Sequence, residues 1–187
     1  MVDSVTVLPA TTRAASLRFR EATAFFAPDG WPISYRDLDR VSDEVAVGLS
    51  RRGVGAGDVV ALVLPPGPEY LFGYLAAAKL GAVTAGVNHR LTESERERVL
   101  ERAAPRLVLA AEGHEPDVSE TIEVGRADAL ERVLEPLRVS GEAPPDRKPD
   151  PEENADNRKG IEASPRSRST SDKTKPIKPH GRLVPVG

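Results

Sequence analysis

A strand–turn–helix–strand pattern over residues 57–91 constrains the fold of this chain most strongly. Residues 59–64 form a continuous apolar run, which is typical of a parallel strand covered on both faces. A Pro-Pro-Gly turn ends this run, and Pro68 then stands where a first helical residue needs no N–H. The helix is predicted to reach about residue 80, before a second apolar strand over 82–87. Two such strands joined through a helix predict a parallel pair in an α/β fold.

The flanking segments supply the remaining layers of this fold. A short helix or packing arm is predicted over 11–20, and a hairpin over 22–34 with turn residues in its middle. Two capping-box patterns predict helix starts, Ser34 with Asp37 and Thr92 with Glu95. The first of these helices is expected to end at Gly53 and to bury one face: Leu38, Val41, Val45 and Leu49.

Three further elements complete the prediction of a mostly parallel sheet flanked by helices. Strands are expected over 107–111 and 121–124, after a charged helix that stops at Pro105. A last helix is expected over 127–137. Its inward residues would be Ala129, Leu130, Val133, Leu134 and Leu137.

Composition divides the chain near residue 140. Residues 1–140 hold 15 Arg and one Lys, whereas residues 141–187 hold five of each, eight of the 17 prolines and no aromatic residue. Such a tail lacks the apolar content to bury a core, so 1–140 is predicted to be a folded lobe and 141–187 to be disordered. The change from Arg to Lys suggests a further hypothesis, that the tail is an out-of-frame or spliced-in sequence.

The ordered succession of motifs resembles the N-terminal part of the acyl-adenylate-forming ligases, most nearly the acyl-CoA synthetases. The resemblance covers residues 10 to 112 and, more loosely, up to about 140. That family's pattern is Gly-Asp-x-Val-Ala, Leu-x-x-Pro-x-x-Pro-Glu, Lys-x-Gly-Ala and Asn-x-Arg-Leu-Thr. The matching residues are Gly57-Asp58-Val59-Val60-Ala61, Leu64, Pro65, Pro68-Glu69, Lys79-Leu80-Gly81-Ala82 and Asn88-His89-Arg90-Leu91-Thr92, with Ser34-Tyr35-Arg36-Asp37-Leu38 upstream and Ala104-Pro105-Arg106-Leu107-Val108-Leu109 downstream.

The resemblance implies ATP-dependent activation of a carboxylic or fatty acid to an acyl-adenylate, followed by transfer to CoA. The family's glycine-rich phosphate loop has at most a degenerate counterpart at residues 170–179, where Asp172, Lys175 and Pro179 replace its glycines. Glycine is needed there because the backbone adopts positive φ and approaches the phosphate closely. The adenine and magnesium segment, the ribose-binding Asp and the late catalytic Lys have no counterpart. We therefore assign no catalytic, cofactor-binding or metal-binding residue, and expect ATP, Mg and CoA only with a full-length ligase.

Other candidate sites have weaker support in the sequence. The glycine-rich segment 53–57 follows a predicted helix and precedes a strand, which favours a connector over a nucleotide loop. Glu69 is expected to complement the helix dipole. The three histidines, His89, His114 and His180, are isolated in sequence and show no metal-ligand spacing, so they are interpreted as loop residues.

Overall composition excludes several classes of function. A net charge of -3 gives no reason to expect a nucleic-acid partner, and zero cysteines exclude disulfides and thiol catalysis. No leader and no apolar run of spanning length is seen, which predicts a cytoplasmic protein without a membrane span.

The favoured interpretation is a truncated acyl-CoA synthetase-like lobe that is inactive alone and exposes apolar surface, so it would self-associate or bind the missing ligase portion. The alternatives are a subunit of a split ligase and a non-catalytic interaction module with a partner-binding tail.

Overall fold

A computed structural model describes residues 7–117 and 120–145. The chain divides into two units, Met1–Arg147 and Lys148–Gly187, and every described residue belongs to the first. Residues 146–187 of the predicted tail, the loop-like segment 170–179 and His180 lie outside the described residues. In the described part, no helix is both long and apolar enough to cross a membrane.

A four-stranded, all-parallel sheet forms the centre of this unit, and helices surround it. These elements begin and end as follows: α1 Val7–Phe19, α2 Tyr35–Arg51, β3 Val59–Val63, α3 Pro68–Lys79, β4 Val83–Gly86, α4 Glu93–Ala103, β5 Leu107–Ala111 and β6 Glu120–Val124. The strands are ordered β4-β3-β5-β6 across the sheet. The predicted α/β class and parallel sheet are confirmed.

Pro68 is the first residue of α3, as its position in the sequence predicts. Gly81, just beyond the end of the helix, adopts φ +68°, a left-handed conformation that glycine favours at helix ends. Strands β1 (Thr23–Phe26) and β2 (Pro32–Ser34) pair antiparallel, which confirms the hairpin. Both capping boxes are formed, at the starts of α2 and α4.

Alternate residues of the strands divide the core between the two faces of the sheet. The larger cluster lies on the α2 and α3 side, where Val60 and Leu62 of β3 and Leu107 and Leu109 of β5 are fully buried. The smaller cluster joins Leu100 of α4 to the opposite side chains of these strands: Ala61, Val63, Val108 and Ala110. Helices therefore flank both faces of the sheet, more heavily on one.

The α2–α3 contact contains buried charge. The Lys79 ammonium lies 2.7 Å from one carboxylate oxygen each of Asp39 and Asp43, and all three side chains are at most 10% exposed. On the same helix, Glu44 accepts from Arg138 at 2.7 Å. Each of these buried carboxylates therefore has a cationic partner, as burial of charge requires.

The predicted helix over 127–137 is wrong. The segment forms two 3-10 turns, Leu130–Arg132 and Glu135–Leu137, separated by an extended Val133 and a left-handed Leu134. Pro136 has no N–H and its ring would clash with the preceding helical turn, which opposes a continuous α-helix. Four of the five predicted inward residues do face the core: Val133, Leu134 and Leu137 are buried, and Leu130 packs on the core.

Candidate functional site

The carboxyl ends of all four parallel strands meet at one edge of the sheet, where open α/β sheets bind ligands. The connectors that follow these strands supply the edge with prolines, glycines and polar side chains. Segment 53–57, by contrast, precedes β3 and lies at the opposite edge, with Gly53 and Gly57 at positive φ. Its placement agrees with a connector.

An open groove of about 540 Å³ lies between the connectors that follow β3 and β4. Its floor is apolar, because Leu64 and Val87 continue the two strands beyond their last paired residues. Polar groups enter from the β4 connector, where the Asn88 side chain accepts from the Arg90 N–H at 3.0 Å. The groove is lined by Leu64, Pro66, Tyr70, Gly86, Val87, Asn88, His89 and Arg90.

Tyr70 shapes this groove through a close approach to the end of β4. A Cβ built on Gly86 would lie 2.5 Å from the Tyr70 hydroxyl oxygen. Only a residue without a side chain allows the phenol to remain there, which explains the glycine at position 86. The sequence gives no signal for this pair, because 15 residues and a helix separate its members.

Glu69 fixes the neighbouring part of the edge. The residue is 6% exposed, and its carboxylate accepts a hydrogen bond from the Ala127 N–H at 2.5 Å, which ties the connector after β6 to the start of α3. Sequence reasoning assigned Glu69 to the helix dipole alone and missed this contact. A smaller cavity of about 170 Å³ opens beside it, lined by Leu64, Pro65, Glu69, Ala111, Glu112, Val124, Gly125 and Arg126.

His89 and His114 are brought together by the sheet. Their ring centroids lie 6.2 Å apart in an edge-on arrangement, although 24 residues separate them in sequence. The two histidines are isolated in sequence, as the spacing indicates, but are neighbours in the fold. β4 and β5 are the two neighbours of β3, so their connectors can meet over the end of that strand.

The loop that carries His114 is held by backbone hydrogen bonds. His114 donates its N–H to Ala111 at 2.9 Å, and the Gly113 N–H donates to the Glu115 carboxylate at 2.9 Å. The backbone N–H groups of Glu115 and Gly113 lower the pKa of the Glu115 carboxyl below its ordinary value. The carboxyl is therefore ionised near neutral pH and keeps a negative charge beside the histidine pair.

The polar side chains at this edge do not form a three-residue metal-binding cluster in the part of the chain that the structure describes. Within residues 7–117 and 120–145, no three His, Asp or Glu side chains converge to hold a metal ion. The residues that line the two cavities present a phenol, an amide, an imidazole, guanidinium groups and two carboxylates, which are groups able to hydrogen-bond a polar ligand.

Comparison with known proteins agrees with this architecture. A putative long-chain-fatty-acid CoA ligase from Rhodopseudomonas palustris superposes with a TM-score of 0.64 at 26% identity, over 76% of this chain and 38% of that one. The N-terminal subdomain of Klebsiella oxytoca NpsA, solved with 3-hydroxyanthranilyl-AMSN, gives a TM-score of 0.60 at 25% identity, over 73% and 34%. Rice 4-coumarate–CoA ligase 3 is 40% identical over 80 residues, which are 43% of this chain and 14% of that ligase.

The chain thus spans only a small fraction of the length of the curated relatives it matches. The model of the AMP-binding enzyme family matches residues 12–180 and so continues past residue 140, across the segment 170–179. With the parallel sheet, the confirmed motifs and this match over most of its length, the chain belongs to the AMP-binding enzyme family of adenylate-forming ligases.

Proposed function

We propose that this chain forms the N-terminal lobe of an acyl-CoA-ligase-type enzyme and does not catalyse adenylation by itself. The reaction of the whole enzyme would join a carboxylic acid to AMP from ATP and pass the acyl group to CoA. One observation carries the proposal. The edge of the sheet at the carboxyl ends of the strands is formed, and a hydrogen bond from Ala127 to Glu69 joins two of its connectors. The sequence, however, holds no intact glycine-rich phosphate loop.

Phosphate chemistry needs donors that this lobe does not supply. Transfer at an α-phosphate is stabilised by backbone N–H groups in a glycine-rich loop and by cations. ATP, Mg and CoA would accordingly bind once the remaining ligase portion is present, and we propose that portion as the partner of the lobe. A cytoplasmic location follows from the same proposal, because ATP and CoA are available there.

The test measures carboxylate-dependent exchange of pyrophosphate into ATP. The 187-residue chain alone is expected to give background exchange with fatty and aromatic acids. The chain is then mixed with the part of the Rhodopseudomonas palustris ligase that follows the matched lobe. Exchange above the level of either piece would support a lobe that works in a split ligase. Exchange by the chain alone would overturn the proposal.

The segment 170–179 provides an internal control for that experiment. Thr170, Ser171, Thr174 and Lys178 stand at offsets that match the family's phosphate loop, and the family match includes them. If the chain alone shows exchange, Lys178→Ala tells whether this segment is responsible. Loss of exchange in that variant would mean that the segment binds phosphate.

Translation of the downstream DNA in all three frames tests the frameshift hypothesis. An intact loop in another frame would identify the tail as misread sequence.

A non-catalytic interaction module remains the second candidate. It predicts a cooperative, monomeric lobe, whereas a separated ligase lobe is expected to expose apolar surface and associate. Exposed Phe26 and Val83, at 65% and 55%, favour the separated lobe. A single sharp thermal transition of a monomer, together with no exchange on mixing, would favour the module.

A further inference from the structure

We propose that His89 and His114 form a two-histidine site for a divalent transition-metal ion such as Zn²⁺. The site lies at the carboxyl edge of the sheet, where the connectors after β4 and β5 meet above the end of β3. It is separate from the ATP and Mg chemistry of the proposed function and does not depend on it. Both rings are half-buried, so each is restrained by its surroundings and still reachable from solvent.

The two rings are close enough to share an ion after side-chain rotation. Zinc–nitrogen bonds are about 2.0–2.1 Å, so two nitrogens on one tetrahedral ion lie roughly 3.4 Å apart. The ring centroids of His89 and His114 lie 6.2 Å apart, with planes inclined at 62° in an edge contact. Rotation about the side-chain bonds is needed to bring one nitrogen of each ring to a shared ion, and the rings are near enough for it.

A hydrogen bond made by the His114 side chain sets the tautomer of its ring. Its Nδ1 lies 3.0 Å from the carbonyl oxygen of Glu112, which can only accept, so Nδ1 carries the proton. In the neutral ring, Nε2 then keeps its lone pair. Metal-binding histidines usually donate their other ring N–H to a carbonyl or carboxylate in this way, which fixes the tautomer and raises the basicity of the ligand.

The ligand set defines the class of ion. Imidazole nitrogen favours Zn²⁺, Cu²⁺ and Ni²⁺, whereas Mg²⁺ and Ca²⁺ prefer oxygen. Since no third His, Asp or Glu converges with the pair in the described residues, water or an external anion would complete the coordination.

Zinc titration of the full 187-residue chain, with any affinity tag removed and Mg²⁺ in excess, tests the proposal by calorimetry. His89→Gln and His114→Gln should each weaken Zn²⁺ binding by at least about tenfold, a loss of about 1.4 kcal/mol. The third histidine supplies the matched control, since His180→Gln should leave the affinity unchanged. Ring-proton NMR should show Zn²⁺ shifting the His89 and His114 signals together.

The proposal fails if the wild-type chain shows no Zn²⁺ binding at millimolar concentration, or if the double His89→Gln, His114→Gln variant binds as tightly as wild type. It also fails if His180→Gln alone removes binding. Equal melting temperatures of the variants without metal would show that loss of binding is not loss of fold.

Discussion

Helices α2 and α4 begin with the same reciprocal cap and then enter opposite environments. At α2, Ser34 accepts from the Asp37 N–H at 3.1 Å, and Asp37 accepts from the Ser34 N–H at 3.2 Å. At α4, Thr92 and Glu95 make the equivalent arrangement, with the Thr92 N–H 2.9 Å from the carboxylate. Ten residues of α2 are buried, including three carboxylates, whereas Leu100 is the single buried residue of α4.

The difference shows that a cap starts a helix but does not set how much the fold depends on it. In α2 the buried carboxylates need partners from α3 and from the segment after β6. In α4 the charges are solvated, and exposed charge pairs contribute little to stability. Substitutions matched between the two helices should therefore have very different effects.

The largest effect is expected from Lys79→Met. This change leaves Asp39 and Asp43 buried without their shared ammonium group, and breaking a buried pair in this way costs about 3–5 kcal/mol. Arg98→Met is the control on α4, because the exposed Arg98 donates only to Ser94 within its own helix. Urea unfolding should show a loss below about 0.5 kcal/mol for the control. Similar losses for both variants would contradict the proposed contrast.

Leu100→Ala should produce the next largest loss, about 2–4 kcal/mol, because it removes the one fully buried side chain of α4. Val99→Ala, one position earlier and 42% exposed, should change the unfolding free energy by less than about 0.5 kcal/mol. Both changes in unfolding free energy are measured from the midpoints of denaturant unfolding. If Leu100→Ala were as mild as its neighbour, the second core cluster would not depend on α4.

Gly48→Ala should destabilise the fold by about 1–3 kcal/mol, although alanine is the better helix former. A Cβ at position 48 would overlap the backbone carbonyl oxygen of Leu137, which cannot rotate away. Gly73→Ala in α3 is the comparison, since its Cβ would meet leucine side-chain ends at 3.2 and 3.3 Å, which can shift. Melting temperatures should place Gly48→Ala clearly below Gly73→Ala. The reverse order would mean that the backbone around Leu137 can shift away from α2 at little cost in stability.

Removing the caps should have smaller effects. Ser34→Ala is expected to cost about 1 kcal/mol and Thr92→Ala about 0.5 kcal/mol, because the second cap is exposed and its helix contributes less buried area. Equal losses, measured by the same unfolding assay, would show that the caps act independently of burial.

The smallest expected effect is the pH dependence of the stability that Asp37 contributes at the start of α2. Burial opposes ionisation of Asp37, but hydrogen bonds from Ser34 and Arg40 outweigh it and lower the pKa of this carboxyl below 3.8. A lowered pKa stabilises the fold above the unfolded-state value and loses this effect as pH falls through the folded-state value. The advantage of wild type over Asp37→Asn should therefore be full above about pH 4 and shrink below it. An advantage that grows in acid would contradict the assignment.

Much of this unit could be predicted because its signals are local. The apolar runs of β3 and β5, Pro68 at the start of α3 and the two capping boxes each depend on neighbouring residues. The segment over 127–137 shows the limit, since its apolar spacing suggested a helix while Pro136 and the left-handed Leu134 produce two short turns. The predicted tail beyond residue 145 stays a prediction.

The candidate site was less predictable than the fold, because its contacts join residues that are distant in sequence. Glu69 bonds to Ala127, Tyr70 lies over Gly86, and His89 meets His114. The sequence alone determined the parallel α/β layer and its family resemblance, because strand, turn and cap patterns depend on short-range backbone preferences. The tertiary structure decided which side chains meet at the carboxyl ends of the strands, because strand order and close packing place remote residues within contact distance.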